Sequence, residues 1–328
     1  MRLATIANEE RDGELVVVNR DNTRCAPVTT IAPTLQRALD RWVQLRPALE
    51  AAARALDLGE GPSWPFDVTR ALAPLPRAYQ WIDASGYLSH ILRVRKARGA
   101  PMPPHMNEEP LIYQGLSDPN HAWNAPLFTK NGWGADFEAE IAVVVDDVPQ
   151  GIAKEKASSH IALALLVNDV SLRKLVAPEL AKGFGFFVSK PASAYAPIAV
   201  SLDEFGDAWN GATLQLEVEV RMNGELIGRL RTGGAEQHFS FADIIEYAAR
   251  TRPLGAGTII GAGTVSNADA SRGAACLAEW RVMEQGSAAL KADRWLDVGD
   301  TVRINAIDSI GASPFGAIDQ TVTLAPGA

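Results

Sequence analysis

Two glutamates spaced two residues apart carry the clearest sign of chemistry in this 328-residue sequence. Glu138 and Glu140 interrupt an apolar run that ends at Val145, which predicts a buried strand over 137–145. Because residues i and i+2 of a strand point to the same side, both carboxylates should face one pocket. Two carboxylates this close repel each other unless a cation neutralises them. The alternative is an ordinary solvated strand face, since the E-x-E pattern is common.

Other ionisable residues extend this pattern. Asp169 ends the apolar run ALALLVND, so a third carboxylate lies at the tip of a strand-like segment. Three carboxylates on buried elements form the ligand set of a hard cation such as Mg²⁺ or Ca²⁺. Asp83 follows another apolar run, and His90 lies seven residues later, two helical turns away. A histidine beside a metal carboxylate can act as a general base, although a surface histidine on an ordinary helix is the alternative.

Two glycine-containing segments offer further contacts. Lys182 precedes Gly183 and Gly185, which would allow close backbone approach to a ligand, and its ammonium could neutralise a developing oxyanion. A lysine beside glycines is otherwise an ordinary loop charge. The segment GAGTVSN over 261–267 could offer a backbone N–H group and the Thr264 hydroxyl to a carboxylate substrate. It lacks the G-x-G-x-x-G pattern and has no Rossmann unit around it, so nucleotide binding is excluded.

The elements that must position these residues begin with a small N-terminal unit. Two strand patterns over 2–6 and 14–18 precede a helix from Thr34 to Leu58, which Pro47 should bend or split. A Gly- and Pro-rich linker follows. We therefore predict a small β-rich N-terminal domain at residues 1–75 and a catalytic domain at residues 76–328.

The remaining pattern is strand-rich. Residues 100–135 predict a long loop over the site, and Lys154–Leu166 predicts a helix. The dipeptide Asn223-Gly224 between strand patterns predicts a hairpin with a type I′ turn. Because strands and helices do not alternate regularly, the fold class is α+β rather than a doubly wound sheet.

Composition narrows the class of protein. The chain is 47% hydrophobic and carries a formal charge of −8, which argues against a nucleic-acid partner. Cys25 and Cys276 are too few for a disulfide framework or a cysteine-based zinc site, which indicates a reducing compartment. No apolar run approaches the roughly 18 residues of a membrane span, and no signal peptide is visible. We therefore expect a soluble cytoplasmic enzyme with no membrane partner.

The order of the motifs is itself informative. They are D-x6-H at Asp83 and His90, E-x-E at Glu138 and Glu140, VND ending at Asp169, K-G-F-G at 182–185 and GTVS at 263–266. In this order they resemble the fumarylacetoacetate hydrolase family. The D-x6-H motif, the GTVS turn and the N-terminal extension resemble its bacterial fumarylacetoacetases more than its shorter acylpyruvate hydrolases. The resemblance implies a mixed β-roll catalytic domain behind a small N-terminal β-rich domain, and a homodimer.

The resemblance also implies roles for individual residues. The implied metal ligands are Asp83, Glu138, Glu140 and Asp169, for Mg²⁺ or Ca²⁺ with Mn²⁺ as a further option. His90 corresponds to the base that activates water, and Glu279 to the acid that orients it. Lys182 and Arg173 correspond to the cations that stabilise the oxyanion and the metal site, and Tyr113, Gly263 and Thr264 to substrate contacts.

The implied reaction is hydrolysis of a C–C bond in a 1,3-diketo acid, with fumarylacetoacetate of aromatic amino-acid catabolism as the leading substrate. Acylpyruvate or fumarylpyruvate hydrolysis, and isomerisation or decarboxylation of a 2-oxo diacid, would use the same carboxylates. The chain departs from the family pattern in three places. Its stretch between Asp169 and Lys182 is short, Ser85 stands where a tyrosine is expected, and Arg95 and Arg98 are both candidates for the substrate arginine.

Overall fold

The computed structural model describes residues 1–102, 104–283 and 294–327, without the side chains of residues 97 and 98. Its helices are α1 (Leu35–Leu39), α2 (Trp42–Asp57), α3 (Leu88–Arg98), α4 (Lys154–Ala157), α5 (Arg173–Leu180), α6 (Phe241–Ala248) and α7 (Leu277–Trp280). Its strands are β1 (Arg2–Ile6), β2 (Glu14–Val18), β3 (Arg24–Pro27), β4 (Trp64–Pro65), β5 (Trp81–Ala84), β6 (Ile112–Gln114), β7 (Leu127–Thr129), β8 (Ala135–Asp136), β9 (Ala139–Val145), β10 (Ile161–Asn168), β11 (Ser171–Leu172), β12 (Ala194–Tyr195), β13 (Ile198–Val200), β14 (Glu217–Met222), β15 (Glu225–Arg231), β16 (Ile259–Gly261), β17 (Thr301–Ile307) and β18 (Ala317–Leu324).

Two large sheets organise these strands. The larger has the order β4-β3-β2-β1-β13-β10-β9-β16-β5-β6, with β12 also paired to β10, and the second has the order β15-β14-β17-β18-β7. The pairs β16–β5 and β18–β7 are parallel within otherwise antiparallel sheets. This mixed, strand-rich architecture confirms the predicted α+β fold class. Among the described residues, no helix combines the length and apolar composition needed to cross a bilayer.

The N-terminal strands are part of the larger sheet. Strand β1 pairs with β2 on one side and with β13 on the other, so β1–β4 extend the sheet that also holds β9 and β10. Helices α1 and α2 pack against this extension and bury Leu39, Trp42 and Leu49. The domain boundary at residue 75 stays a prediction.

The central strands are buried on both faces. Along β9, Ile141 and Val143 lie in one core cluster, while Ala142 and Val144 lie in the other. Helix α2 covers the second cluster through Leu49. A strand buried on both faces has a continuous apolar sequence, because neither face needs polar side chains. This position places β9 and β10 deep in the molecule, and with them the carboxylates that the sequence singled out.

The same burial explains where the local predictions differ from the structure. The predicted helix over Lys154–Leu166 is wrong beyond its first turn, since α4 ends at Ala157 and β10 begins at Ile161. An apolar run of this length suits a buried strand as well as a helix, and the neighbouring strands decide between them. The helix predicted from Thr34 is interrupted between Leu39 and Trp42, while Pro47 lies within α2.

Other local features follow the predicted chemistry more closely. Thr34 caps α1 by accepting a hydrogen bond from the Arg37 backbone N–H group. Asn223 and Gly224 have φ angles of 52° and 82°, as a type I′ turn between β14 and β15 requires. The long loop predicted over 100–135 contains the short strands β6 and β7 among its described residues.

Candidate active site

Neighbouring strands of the larger sheet bring the predicted residues together. Asp83 on β5 is in register with Gly261 on β16 and with Tyr113 on β6. Glu140 lies on β9, and Asp169 directly follows the adjacent β10. A Cβ atom at Gly261 would lie 2.4 Å from Asp83 Oδ1, so glycine at this position leaves room for the carboxylate.

Three buried carboxylates form the centre of the site. One carboxylate oxygen each from Asp83, Glu140 and Asp169 lies within 4.8 Å of the other two. Burial, followed by the charge of Asp169, raises the pKa of Asp83 well above its usual value, and burial with the charge of Asp83 does the same for the pKa of Glu140. Within the described structure, Asp83 Oδ1 and Glu140 Oε2 are buried without a hydrogen-bond partner. Unpartnered oxygens in a buried, repelling group fit a hard divalent cation.

Glu138 lies beside this group and has different partners. Its Oε1 accepts hydrogen bonds from Arg173 Nη2 at 2.7 Å and from Thr264 Oγ1 at 2.7 Å. Its Oε2 accepts from Lys190 Nζ and from Ser171 Oγ. Burial alone would raise the pKa of Glu138, but the charges of Arg173 and Lys190 outweigh burial and hold that pKa well below its usual value. A role for Glu138 as the fourth metal ligand stays a prediction.

Lys182 is not in the site. Its side chain is exposed in the loop after α5, where Gly183 and Gly185 have φ angles of 84° and 89°. Lys190, eight residues later, is buried and donates a 2.6 Å hydrogen bond to Asp169 Oδ2. The prediction that Lys182 contributes its ammonium to the site is therefore wrong, and the buried ammonium belongs to Lys190. Both lysines lie in ELAKGFGFFVSKP, and the glycines that drew attention to Lys182 turn the loop outward.

Tyr113, Lys190 and Ser193 all donate to the same carboxylate. Tyr113 Oη and Lys190 Nζ bond Asp169 Oδ2, and Ser193 Oγ bonds Asp169 Oδ1 at 2.7 Å. Burial and the charge of Asp169 raise the pKa of the Tyr113 phenol, so it remains protonated. The Tyr113 ring meets the Phe186 ring edge to face, with centroids 5.1 Å apart. Tyr113 thus joins the carboxylate group to the wall of the cavity.

A histidine–glutamate pair completes the polar end of the site. His90 Nδ1 lies 2.6 Å from Glu279 Oε1, and His90 Nε2 lies 3.7 Å from Glu138 Oε1. Glu279 Oε2 accepts from Arg93 Nη1 at 2.8 Å and from Ser266 Oγ at 2.9 Å. Burial would raise the pKa of Glu279, but His90 and Arg93 hold that pKa below its usual value. Because the ionised carboxylate can only accept, His90 Nδ1 carries a proton, and Nε2 is the ring nitrogen on the side of Glu138.

Sequence reasoning missed the residue that supports the helix of Glu279. Asp136 accepts hydrogen bonds from the backbone N–H groups of Leu277 at 2.7 Å and Ala278 at 3.0 Å, at the start of α7. It also accepts from Arg173 Nε at 2.8 Å. Arg173 therefore links the start of α7 to Glu138. The available signal was the alternation D-x-E-x-E over 136–140, which extends the E-x-E pattern by one acidic residue.

One cavity of about 180 Å³ borders part of this polar cluster. Its lining includes the predicted residues Asp83, His90, Tyr113, Arg173, Gly263 and Thr264. Apolar side chains, among them Val94, Leu111 and Phe186, form the remaining wall. Arg95 also lines the cavity, and its Nη1 donates to the carbonyl of Pro101 at 2.7 Å, whereas the side chain of Arg98 lies outside the described structure. The arrangement can hold a small oxygen-rich acid beside a cation and a base.

Replacing Glu279 tests the charge of this pair through its pH dependence. Since the pKa of Glu279 is lowered on folding, the ionised carboxylate stabilises the fold above its ordinary titration range, and this contribution is lost as the pH falls through the folded value. Glu279→Gln should therefore lower stability by about 1–3 kcal/mol at pH 7, with a smaller loss at pH 3.5. Thermal unfolding at both pH values measures this difference. Glu225→Gln, at an exposed residue, is the control, and an equal loss at both pH values would contradict the assignment.

Comparisons with known proteins place this arrangement in a family. The family described as fumarylacetoacetate (FAA) hydrolase C-terminal matches residues 80–323, and fumarylacetoacetase N-terminal domain 2 matches residues 1–77. A 2,4-didehydro-3-deoxy-L-rhamnonate hydrolase from Sphingomonas sp. is 29% identical over 206 residues, which cover 59% of this chain and 68% of that protein. An oxaloacetate tautomerase from Bacillus subtilis is 32% identical over 131 residues, which cover 40% of this chain and 41% of that protein.

A solved structure supports the fold over the whole chain. Maleylpyruvate hydrolase from Sphingobium sp. SYK-6, in complex with manganese(II) ion and pyruvate, has a TM-score of 0.64 and 17% identity, and the match covers 99% of each chain. At this identity the likeness concerns the fold alone. The family match covers most of the chain, and the two relatives named above are a hydrolase and a tautomerase. This chain therefore belongs to the fumarylacetoacetate hydrolase family of enzymes.

Proposed function

We propose that this protein is a divalent-cation-dependent hydrolase that cleaves a C–C bond in a 1,3-diketo acid, most directly fumarylacetoacetate to fumarate and acetoacetate. One observation carries this proposal. His90 is paired through Nδ1 with a buried anionic Glu279, and it lines the same cavity as Asp83 of the carboxylate group. A base oriented in this way activates water, which a hydrolase requires and a decarboxylase does not.

The cation belongs with the buried carboxylates. Asp83, Glu140 and Asp169 would hold it, and their oxygen ligands suit Mg²⁺, Ca²⁺ or Mn²⁺. The manganese complex of maleylpyruvate hydrolase supports Mn²⁺ as one option. When bound, the cation supplies a Lewis acid that polarises the dicarbonyl of the substrate. Each Glu138 oxygen already accepts two hydrogen bonds, so Glu138 would bind the cation in exchange for one of them.

The residues of the chain would then carry out one addition and one cleavage. His90 Nε2 takes a proton from water, and the resulting hydroxide adds to the carbonyl carbon. The C–C bond breaks, and its electron pair becomes the enolate of acetoacetate. Lys190 takes the role predicted for Lys182, and together with Arg173 it stabilises the developing negative charge. His90 returns its proton to the enolate carbon, so one water is consumed and two acids are released.

The remaining cavity residues would orient the substrate. Tyr113, Gly263 and Thr264 border the polar end, and Arg95 is the arginine candidate that lines the cavity. Gly263 has a φ angle of 86°, and a Cβ atom there would lie 2.2 Å from the carbonyl oxygen of Ala84, so the backbone can pass only with glycine. We further propose a cytoplasmic homodimer, which the family resemblance and the cysteine usage support.

Oxaloacetate tautomerisation is the second candidate. The similarity to the Bacillus subtilis tautomerase favours it. A tautomerase also needs a cation beside the dicarbonyl and a base that moves a proton between carbon and oxygen. His90 could perform this transfer without activating water. The two candidates therefore share the cavity and differ in the fate of the C–C bond.

A substrate panel separates the candidates. The purified protein, loaded with Mn²⁺ or Mg²⁺, is assayed with fumarylacetoacetate, acylpyruvates, oxaloacetate and an unsaturated 2-oxo diacid, then again with excess chelator. We expect cation-dependent loss of fumarylacetoacetate with release of acetoacetate. Lys182→Gln, at an exposed residue, should react at the wild-type rate. Turnover of oxaloacetate enol without cleavage of any diketo acid would overturn the hydrolase proposal and support tautomerisation.

A further inference from the structure

A carboxylate outside the cavity closes the loop that follows α5. Glu179, in the last turn of α5, is 8% exposed. Its Oε1 accepts from the Val188 backbone N–H group at 2.8 Å, and its Oε2 accepts from the Ser189 N–H group at 3.0 Å and from Ser189 Oγ at 2.5 Å. Burial would raise the pKa of Glu179, but these donors and the Phe187 N–H group lower it to about 2. The carboxylate is therefore charged at any physiological pH.

Two of the hydrogen bonds that Glu179 accepts come from Ser189, the residue before Lys190. Ser189 is held from the other side as well, because its carbonyl oxygen accepts from the Leu172 N–H group at 2.8 Å. The N–H group, hydroxyl and carbonyl of Ser189 are therefore all hydrogen-bonded, which restrains its backbone. The next residue, Lys190, then projects its ammonium between Glu138 and Asp169.

Packing alone would hold this loop poorly. Phe184 is 98% exposed, Phe187 is 85% exposed and Val188 is 57% exposed, so these three side chains contribute little buried area, whereas Phe186 packs against Tyr113. Segments with few buried contacts open at low free-energy cost. Charge-assisted hydrogen bonds to the Glu179 carboxylate therefore add to the Phe186 contact in holding the loop closed.

We propose that Glu179 is a positioning residue: by closing residues 180–188 onto α5, it sets the Lys190 ammonium between Glu138 and Asp169, and it acts on the reaction through Lys190 without touching substrate. The effect on turnover rests on the proposed function. The effect on the position of Lys190 stands on the geometry alone. The Glu179 carboxylate thus explains how an exposed loop can lead directly into the buried Lys190.

Glu179→Gln tests the placement without any assay of activity. The amide keeps one acceptor oxygen, but its NH₂ group cannot accept from the backbone donors. Hydrogen exchange should accelerate at least about 10-fold in the peptide that contains residues 187–190, as local opening becomes easier. Acetylation of Lys190, read by mass spectrometry, should accelerate as well. Lys182→Gln, in the same loop, is the matched control and should change neither readout. Unchanged exchange, or faster exchange with Lys190 still protected, would overturn the proposal.

A double-mutant cycle tests the route through Lys190. Glu179→Gln should lower kcat about 10-fold or more with a smaller change in KM, because an interaction with the developing charge is weakened. In a Lys190→Met background the same substitution should have little further effect on kcat. Equal effects in both backgrounds would show that Glu179 does not act through Lys190. If the wild type turns over no diketo acid, the proposed function fails, and the exchange and acetylation results still decide the placement.

Discussion

His90→Ala should lose about 10²–10⁴-fold in kcat while its affinity for the cation stays close to that of the wild type. The expectation follows from the position of the imidazole. Nδ1 is hydrogen-bonded to Glu279, and Nε2 lies 3.7 Å from Glu138 Oε1. The three carboxylates that would hold the cation do not include this histidine. Removing it should therefore remove the base and leave the cation site.

The measurement pairs steady-state kinetics on fumarylacetoacetate with a Mn²⁺ titration followed by electron paramagnetic resonance. His105→Ala is the matched control, because this exposed histidine lies outside the cavity lining. Turnover close to the wild-type value would show that His90 is not the base. A parallel loss of Mn²⁺ affinity would show that His90 contributes to cation binding, which the three-carboxylate site does not predict.

Glu140→Gln should abolish cation-dependent turnover and yet stabilise the cation-free protein. Glu140 is buried against Asp83 and Asp169, and burial with their charges raises its pKa well above the usual value. A carboxyl group whose pKa rises on folding destabilises the folded state increasingly as the pH passes above its unfolded value. Removing that charge should relieve the repulsion. The gain in melting temperature with chelator present should therefore be larger at pH 8 than at pH 5.

With the divalent cation bound, the wild type should become more stable than Glu140→Gln. Ligand binding to the folded state stabilises the wild type by about 2.7 kcal/mol at a cation concentration 100 times the Kd, and the variant should gain much less. Thermal unfolding with chelator and with Mn²⁺, at both pH values, measures both effects.

Glu138→Gln provides the contrast two residues away. Arg173 and Lys190 hold the pKa of Glu138 well below its usual value, so its charge stabilises the folded protein at pH 7. This variant should be less stable than the wild type in chelator, because the buried side chains of Arg173 and Lys190 lose a charged partner. Destabilisation of the cation-free protein by both substitutions alike would contradict the proposed division of the two glutamates.

Local pattern was sufficient to find the carboxylates of the site. The i, i+2 rule for strands requires no knowledge of the fold, and Thr264 Oγ1 does lie within hydrogen-bond distance of both Glu138 and Glu140. Asp83 and Asp169 end apolar runs, and these runs become the buried strands β5 and β10 of one sheet, with β16 and β9 between them. Their meeting depends on strand order, which the motif order suggested only through family resemblance.

The positions of the positively charged side chains could not be predicted from local pattern. Lys182 and Lys190 have the same charge and lie in one short segment. Only tertiary structure shows that Lys182 is exposed and Lys190 buried, since the loop turns outward and Ser189 is hydrogen-bonded to Glu179. Arg93 and Asp136 also act through tertiary contacts, with Glu279 and with the start of α7 respectively. The strand β10 was predicted as helix because an apolar run has no period of its own when both faces are buried.

Isotope labelling tests the central claim, that His90 activates water for C–C cleavage, most directly. The Mn²⁺-loaded wild type is incubated with fumarylacetoacetate in ¹⁸O-labelled water, and the products are analysed by mass spectrometry against a chelated control. Hydrolysis at the fumaroyl carbonyl should place one ¹⁸O in the fumarate carboxylate formed by cleavage and release acetoacetate, with no cleavage in chelator and little in His90→Ala. Loss of substrate without acetoacetate, or cleavage at the same rate in His90→Ala, would contradict it.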